Sequence, residues 1–95
     1  KDIPPFVLCG REPICYCGVN IVGLRRRGFD SEVIRNIKDI YETIYLSGYN
    51  ISDGCSKVEA GFPQSAERDM ILDFIRNSKR GVIRASVSTE KVDLE

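Results

Sequence analysis

Gly18-Val19-Asn20-Ile21-Val22-Gly23-Leu24-Arg25-Arg26-Arg27-Gly28-Phe29 divides a chain that reads extended before it and helical after it. The stretch itself reads as a short helix stopping at Gly28, since glycine takes a positive φ past a helix terminus at no steric cost. Three arginines in its last turn suit the negative end of the helix dipole. At about 100° per residue, seven positions make roughly two turns, so Asn20 and Arg27 share a face with Gly23 and Leu24 between them. Gly23 has no side chain, which leaves room for a flat or bulky ligand near the backbone, between an amide and a guanidinium. Arg25, Arg26 and Arg27 fan out over about 200°, so at most two can converge on one anion. The same pattern also fits a capped amphipathic helix with a solvated basic end.

Downstream, Asp30 is a good N-cap and Glu32 lies where the dipole favours a carboxylate. Val33, Ile34, Ile37, Ile40, Tyr41, Ile44 and Tyr45 follow helical spacing, with Arg35, Asn36, Lys38, Asp39, Glu42 and Thr43 on the other face. Gly48 stops this helix. Burying each large aliphatic side chain is worth ~1.5–3 kcal/mol, so this face is the main source of stability. Ser52 can cap a second helix to about Ala60, weakened at Gly54 by ~1 kcal/mol relative to alanine. After the break at Gly61-Phe62-Pro63, a third helix is expected from about Gln64 to Ser78. Its apolar face is Ala66, Met70, Ile71, Phe74 and Ile75, and it should pair antiparallel with the first long helix. Gly81 ends it, and Val82-Ile83 can return to cover the bundle.

Upstream, Ile3-Pro4-Pro5 forces an extended start, and Phe6-Val7-Leu8-Cys9 is short and strand-like. Such a strand is expected to lack a partner, as if cut from something larger. Gly10-Arg11-Glu12-Pro13 is a turn, and Ile14 to Cys17 leads extended into the organising helix. The expected fold is mainly α, a small antiparallel helical bundle with a short extended N-terminal segment. Residues 1–17 read as the lead-in, 18–84 as the helical domain, and 85–95 as a flexible tail with Leu94-Glu95 as a cloning remnant.

Ninety-five residues suffice for one small domain. Fourteen Lys+Arg balance 14 Asp+Glu, which argues against a general nucleic-acid binder. No apolar run can span a bilayer and no signal-peptide pattern opens the chain, so a cytoplasmic domain is expected. Cys9, Cys15, Cys17 and Cys55 lack paired C-x2-C knuckles, and with no histidine in the chain they read as packed free thiols rather than a metal site. The absence of histidine also removes the commonest general base, and neither a Gly-x-Ser-x-Gly elbow nor a phosphate-cradling glycine loop is present. Ser78-Lys79-Arg80 sits at a helix end, where a structural role is expected. The chain by itself should be inactive, with no catalytic residue, no metal and no cofactor.

The Asn-to-Arg stretch resembles the start of the C-terminal helical domain of bacterial UDP-N-acetylglucosamine acyltransferases, which take the first step of lipid A synthesis. The likeness continues in Asp2-Ile3-Pro4-Pro5-Phe6-Val7, in Gly10-Arg11-Glu12-Pro13, and through the long helix to Ser78-Lys79-Arg80-Gly81-Val82-Ile83-Arg84. The resemblance implies a preceding left-handed parallel β-helix of hexapeptide repeats that trimerises and carries a catalytic histidine. It implies transfer of a 3-hydroxyacyl chain from acyl carrier protein to the 3-position of UDP-N-acetylglucosamine, at sites between subunits. Residues 1–17 would then begin near the last β-helix coil, and the excised domain would be monomeric.

By the same resemblance, Asn20 matches the family's asparagine and Arg26 and Arg27 its terminal arginine pair; the helix-face reading above adds Gly23 to the substrate-binding set. A guanidinium fork suits a pyrophosphate or a phosphopantetheine phosphate. Val22 stands where some members have an acidic residue, and residues 10–17 lack a histidine that some members carry. Arg35, Lys38, Arg76, Lys79 and Arg80 are the candidates to steer an acidic carrier protein, mainly through on-rate. The alternative is a free-standing helical interaction module that binds an acidic protein or RNA, which the balanced charge disfavours.

Overall fold

A computed structural model describes residues 2–10, 15–79 and 81–85. The elements run β1 (Val7–Gly10), β2 (Cys15–Val19), α1 (Ile21–Arg26), α2 (Ser31–Tyr45), α3 (Ile51–Gly61), α4 (Ala66–Asn77) and β3 (Arg84–Ala85). The molecule is mainly helical, as the periodicity predicts, and the extended ends do more than lead in and out. They form a three-stranded sheet in the order β1-β2-β3, with β1 antiparallel to β2 and β2 parallel to β3. The first strand therefore has a partner, contrary to the sequence expectation. Val7 pairs with Val19 and Gly10 with Cys15, while Asp2 bridges Val82. The tail expected over 85–95 lies, beyond Ala85, outside the described residues.

The long helix behaves as its spacing dictates. Ile34, Ile37, Ile40, Tyr41 and Ile44 are buried along one side of α2, flanked by half-buried Val33 and Tyr45. Asp30 holds the N-cap position but makes no side-chain cap bond, and Gly48, at φ 83°, follows the helix end.

The close partner of α2 is α3. A Cβ on Gly54 would lie 2.8 Å from the Ile44 Cα, so Gly54 is the residue that lets two helix backbones approach. What reads from sequence as a weak point is thus a packing requirement. The α3 N-cap is Asn50, whose Oδ1 accepts from the Asp53 N–H at 2.8 Å, rather than Ser52.

The α4 helix starts two residues later than expected, at a Ser65 cap that accepts from the Arg68 N–H at 3.1 Å. Its buried side chains are Ile71 and Leu72, with Ile75 half-buried, while Ala66, Met70 and Phe74 face solvent. The predicted face is rotated because α4 meets α2 and α3 together, and Leu72, not Met70, points into that junction.

Three tyrosines fasten the sheet to the helices. The Tyr16 ring of β2 stacks on Tyr45 of α2, with centroids 4.3 Å apart and planes within 8°. Tyr45 donates its hydroxyl to the Ile83 carbonyl at 2.6 Å, and Tyr41 donates to the Pro5 carbonyl at 2.7 Å. The amphipathic rings pack in the core while their hydroxyls hold the two chain segments that no periodicity marks.

Candidate functional site

The basic stretch folds as a short helix whose start is fixed by Asn20. That residue is the N-cap of α1, and its Oδ1 accepts from the Gly23 N–H at 3.1 Å. Its backbone N–H donates to the Phe6 carbonyl at 2.7 Å, tying the helix start to the turn before β1. A Cβ on Gly23 would meet Asn20 Nδ2 at 2.6 Å. The space that Gly23 leaves is therefore filled by the Asn20 carboxamide, with Oδ1 turned onto the helix N-terminus.

Phe6 is a residue that sequence reasoning missed. Its φ of 72° makes it the only non-glycine with positive φ among the described residues. A bulky side chain in that region is strained, and it persists where neighbours over-determine it. Here the neighbours are the Asn20 N–H on its carbonyl, the Phe29 ring edge-on at 5.9 Å, and the Tyr41 hydroxyl on the preceding carbonyl. The two prolines before it are the one sequence signal of an unusual turn.

At the other end of α1, Leu24 is buried and anchors the helix, while Arg25, Arg26 and Arg27 are all exposed. Gly28 has a φ of 86°, and the Phe29 N–H donates back to the Leu24 carbonyl at 3.1 Å, closing the terminus. Among the described residues none of the three arginines is ion-paired. Val22, 62% exposed, is the apolar member of this surface.

The structure brings Asn20 and Gly23 into contact and puts Arg26 and Arg27 at the opposite end of the same six-residue helix. The carrier-protein candidates are scattered. Arg35 is exposed in the second turn of α2. Lys38 lies 3.8 Å from Glu42 in an exposed pair one helical turn apart. Arg76 of α4 is held by Glu59 of α3 at 2.9 Å, and this bond keeps the Glu59 carboxyl below its ordinary range. Lys79 is exposed beyond α4, and Arg80 lies outside the described residues.

Arg68, which the sequence did not single out, is the arginine with a firm structural duty. It donates to the Glu59 and Phe62 carbonyls, each at 3.1 Å, and pairs with Asp69. Guanidinium at a helix C-terminus satisfies carbonyls left without partners.

The thiols depart from the expectation of packed apolar residues. Cys55 is buried, Cys15 is half-buried, and Cys9 and Cys17 are exposed. Among the described residues no group of three or more His, Cys, Asp or Glu is placed to hold a metal ion. Nor is any described helix long and apolar enough to cross a membrane.

Comparison with known proteins gives a consistent result. The family model described as UDP N-acetylglucosamine O-acyltransferase, domain 2, matches residues 2–83. The acyl-[acyl-carrier-protein]–UDP-N-acetylglucosamine O-acyltransferase of Sulfurihydrogenibium sp. (strain YO3AOP1) is 39% identical over 82 residues, covering 86% of this chain and 30% of that protein. The crystal structure of the UDP-N-acetylglucosamine acyltransferase from Bacteroides fragilis 9343 superposes with a TM-score of 0.84 at 61% identity, over 88% of this chain and 33% of that one. The Francisella novicida UDP-N-acetylglucosamine acyltransferase superposes at 0.83 with 28% identity, over 95% of this chain and 33% of its own. The chain thus spans about a third of the length of the curated relatives it matches.

Proposed function

The chain belongs to the UDP-N-acetylglucosamine O-acyltransferase family, and from that premise we propose that it serves as the C-terminal helical domain of an enzyme acylating UDP-N-acetylglucosamine. In this reading a 3-hydroxyacyl group passes from acyl carrier protein to the sugar's 3-position, in the cytoplasm, as the first step of lipid A synthesis. The base is a histidine on a preceding β-helix that also forms the trimer, and residues 1–17 lead in from its last coil. Residues 18–84 contribute binding, with Asn20, Gly23, Arg26 and Arg27 on the substrate side. No residue of this chain is assigned a catalytic role.

The observation that carries the reading is the basic end of α1, which is unpaired among the described residues. A guanidinium without a carboxylate partner is available to a phosphate oxygen, and two on adjacent positions can share a diphosphate or a phosphopantetheine phosphate. Asn20 acts here mainly by fixing where the helix starts, and hence where its arginines end. Arg35, Lys38, Arg76, Lys79 and Arg80 are the carrier-facing candidates. Arg35 is favoured over Lys38 and Arg76, because those two already pair with Glu42 and Glu59.

Titration with acyl carrier protein tests this. Saturable binding that weakens with salt and falls several-fold in the Arg26→Ala/Arg27→Ala double variant is the expected result. RNA binding with a steep salt slope, and none of the carrier, would overturn it in favour of a free-standing interaction module.

A further inference from the structure

Three cysteines lie on β1 and β2, and none of them has a part in the acyltransferase reading. Cys15 and Cys17 lie two positions apart on β2, and their side chains lean over the same point on β1. A Cβ built on Gly10 would stand 2.9 Å from Cys17 Sγ and 3.5 Å from Cys15 Sγ. Both sulfurs thus lie over one backbone position of the neighbouring strand. Two residues along a strand rise by about 6.6 Å, at the upper end of the ~4.4–6.8 Å that disulfide-bonded Cα atoms span. The pairing slips between Leu8 and Cys9, opposite Cys17, and Gly18 has a φ of 121°, so β2 is bent here rather than regular. A bulge of this kind re-aims a side chain. Cys17 is exposed and Cys15 half-buried, so a small reagent can reach the pair.

We propose that Cys15 and Cys17 form a reversible dithiol site that closes to an internal disulfide on reaction with a low-molecular-weight disulfide oxidant. One thiolate attacks a sulfur of the oxidant and expels one thiol, giving a mixed disulfide on the protein. The second cysteine then attacks the first protein sulfur and expels the second thiol. The cysteine pair loses two electrons to the oxidant, its two protons end on the two thiols released, and an excess of thiol reverses the reaction. Desolvation raises the Cys17 pKa first of all, and Cys15 and Cys9 add to the effect against a backbone bond from Gly10 that lowers it. Cys17 accordingly rests as a thiol, and alkaline pH favours the exchange. The site stands on the strand that feeds Asn20, and the inference does not depend on which substrate α1 binds.

Trypsin separates the possible products cleanly. Cys9 falls in the peptide of residues 2–11, whereas Cys15 and Cys17 share the peptide of residues 12–25. The native chain is treated with oxidised glutathione at mildly alkaline pH, blocked with an alkylating agent, digested and weighed. Expected is a 12–25 peptide lighter by two hydrogens and free of alkylation, restored by dithiothreitol, with Cys55 unmodified as a check that the fold is intact. A Cys15→Ser variant should instead stop at a glutathione adduct on Cys17. Separate glutathione adducts on Cys15 and Cys17 in the unaltered chain would overturn the proposal, as would a cross-link between peptides 2–11 and 12–25 as the main product.

Discussion

The α2–α3 pair and the β1–β2–α1 segment share one core and are held in it by different means. Along α2, five side chains are buried by helical repetition, and four of them are isoleucines that no polar bond positions. Among its described residues, the β1–β2–α1 segment buries only Tyr16, Val19 and Leu24 outright. It is held in place by particular atoms: the Asn20 amide on Gly23, the Phe6 carbonyl on the Asn20 N–H, and the Tyr41 hydroxyl on Pro5. A repeating apolar face gives stability that degrades gradually. A set of single hydrogen bonds gives a defined geometry, and that is where the basic helix is mounted.

The largest effects are expected in the half held by the repeating apolar face. Ile37→Ala removes a side chain with no exposed surface and should cost roughly 2–5 kcal/mol, read as a lowered urea midpoint. A loss below about 1 kcal/mol would mean that α2 is not the centre of the core. Gly54→Ala should cost about 1–3 kcal/mol, because the added Cβ meets the Ile44 backbone and not a flexible side chain. An unchanged midpoint would show that α2 and α3 are not in such close contact.

High pH probes the link between the halves. Burial, and after it the neighbouring tyrosines, raise Tyr41 and Tyr45 well above the ordinary phenol value. The folded chain thus holds protons that the unfolded chain releases. This stabilisation is whole below about pH 10 and is lost as pH rises beyond it. Tyrosinate absorbance should appear together with loss of helical circular dichroism. A smooth titration in a chain that stays folded would contradict the buried ring stack.

In the precise half, Asn20→Ala should cost ~0.5–2 kcal/mol through loss of the cap. Gly23→Ala should cost less than the Gly54 change, since the Asn20 amide can swing away. The two should be markedly non-additive, because each removes the same bond. Additivity in a double-mutant cycle would mean that the cap is not formed in solution. The smallest effect is expected at Lys38→Ala, within about 0.5 kcal/mol, as for an exposed pair one helical turn apart.

The two halves were also unequally legible. Val33 to Tyr45 announces its helix and its buried face, because a 3.6-residue period leaves little choice of inward side. The α4 face was misassigned at Met70 and Phe74, since Met70, Ile71, Leu72, Phe74 and Ile75 allow more than one apolar stripe and the neighbours choose among them. The sheet went unread because β3 is only two residues long and lies 65 positions after β2 ends. No local pattern marks that pairing. Of the candidate site, the residue types and the stop at Gly28 were plain, whereas the cap on Gly23 and the strained turn at Phe6 were not.

Legible along the chain were the helical class, the long amphipathic helix, the basic end of α1 and the motif that carries the family resemblance. Those are properties of spacing and residue chemistry along one segment. Tertiary structure alone decided that the two extended ends meet in a sheet, that Gly54 admits a second helix backbone, and that Cys15 and Cys17 share the space over Gly10. Each of these depends on a close approach between atoms of segments that the chain brings together only by folding, and a one-dimensional pattern carries no such distance.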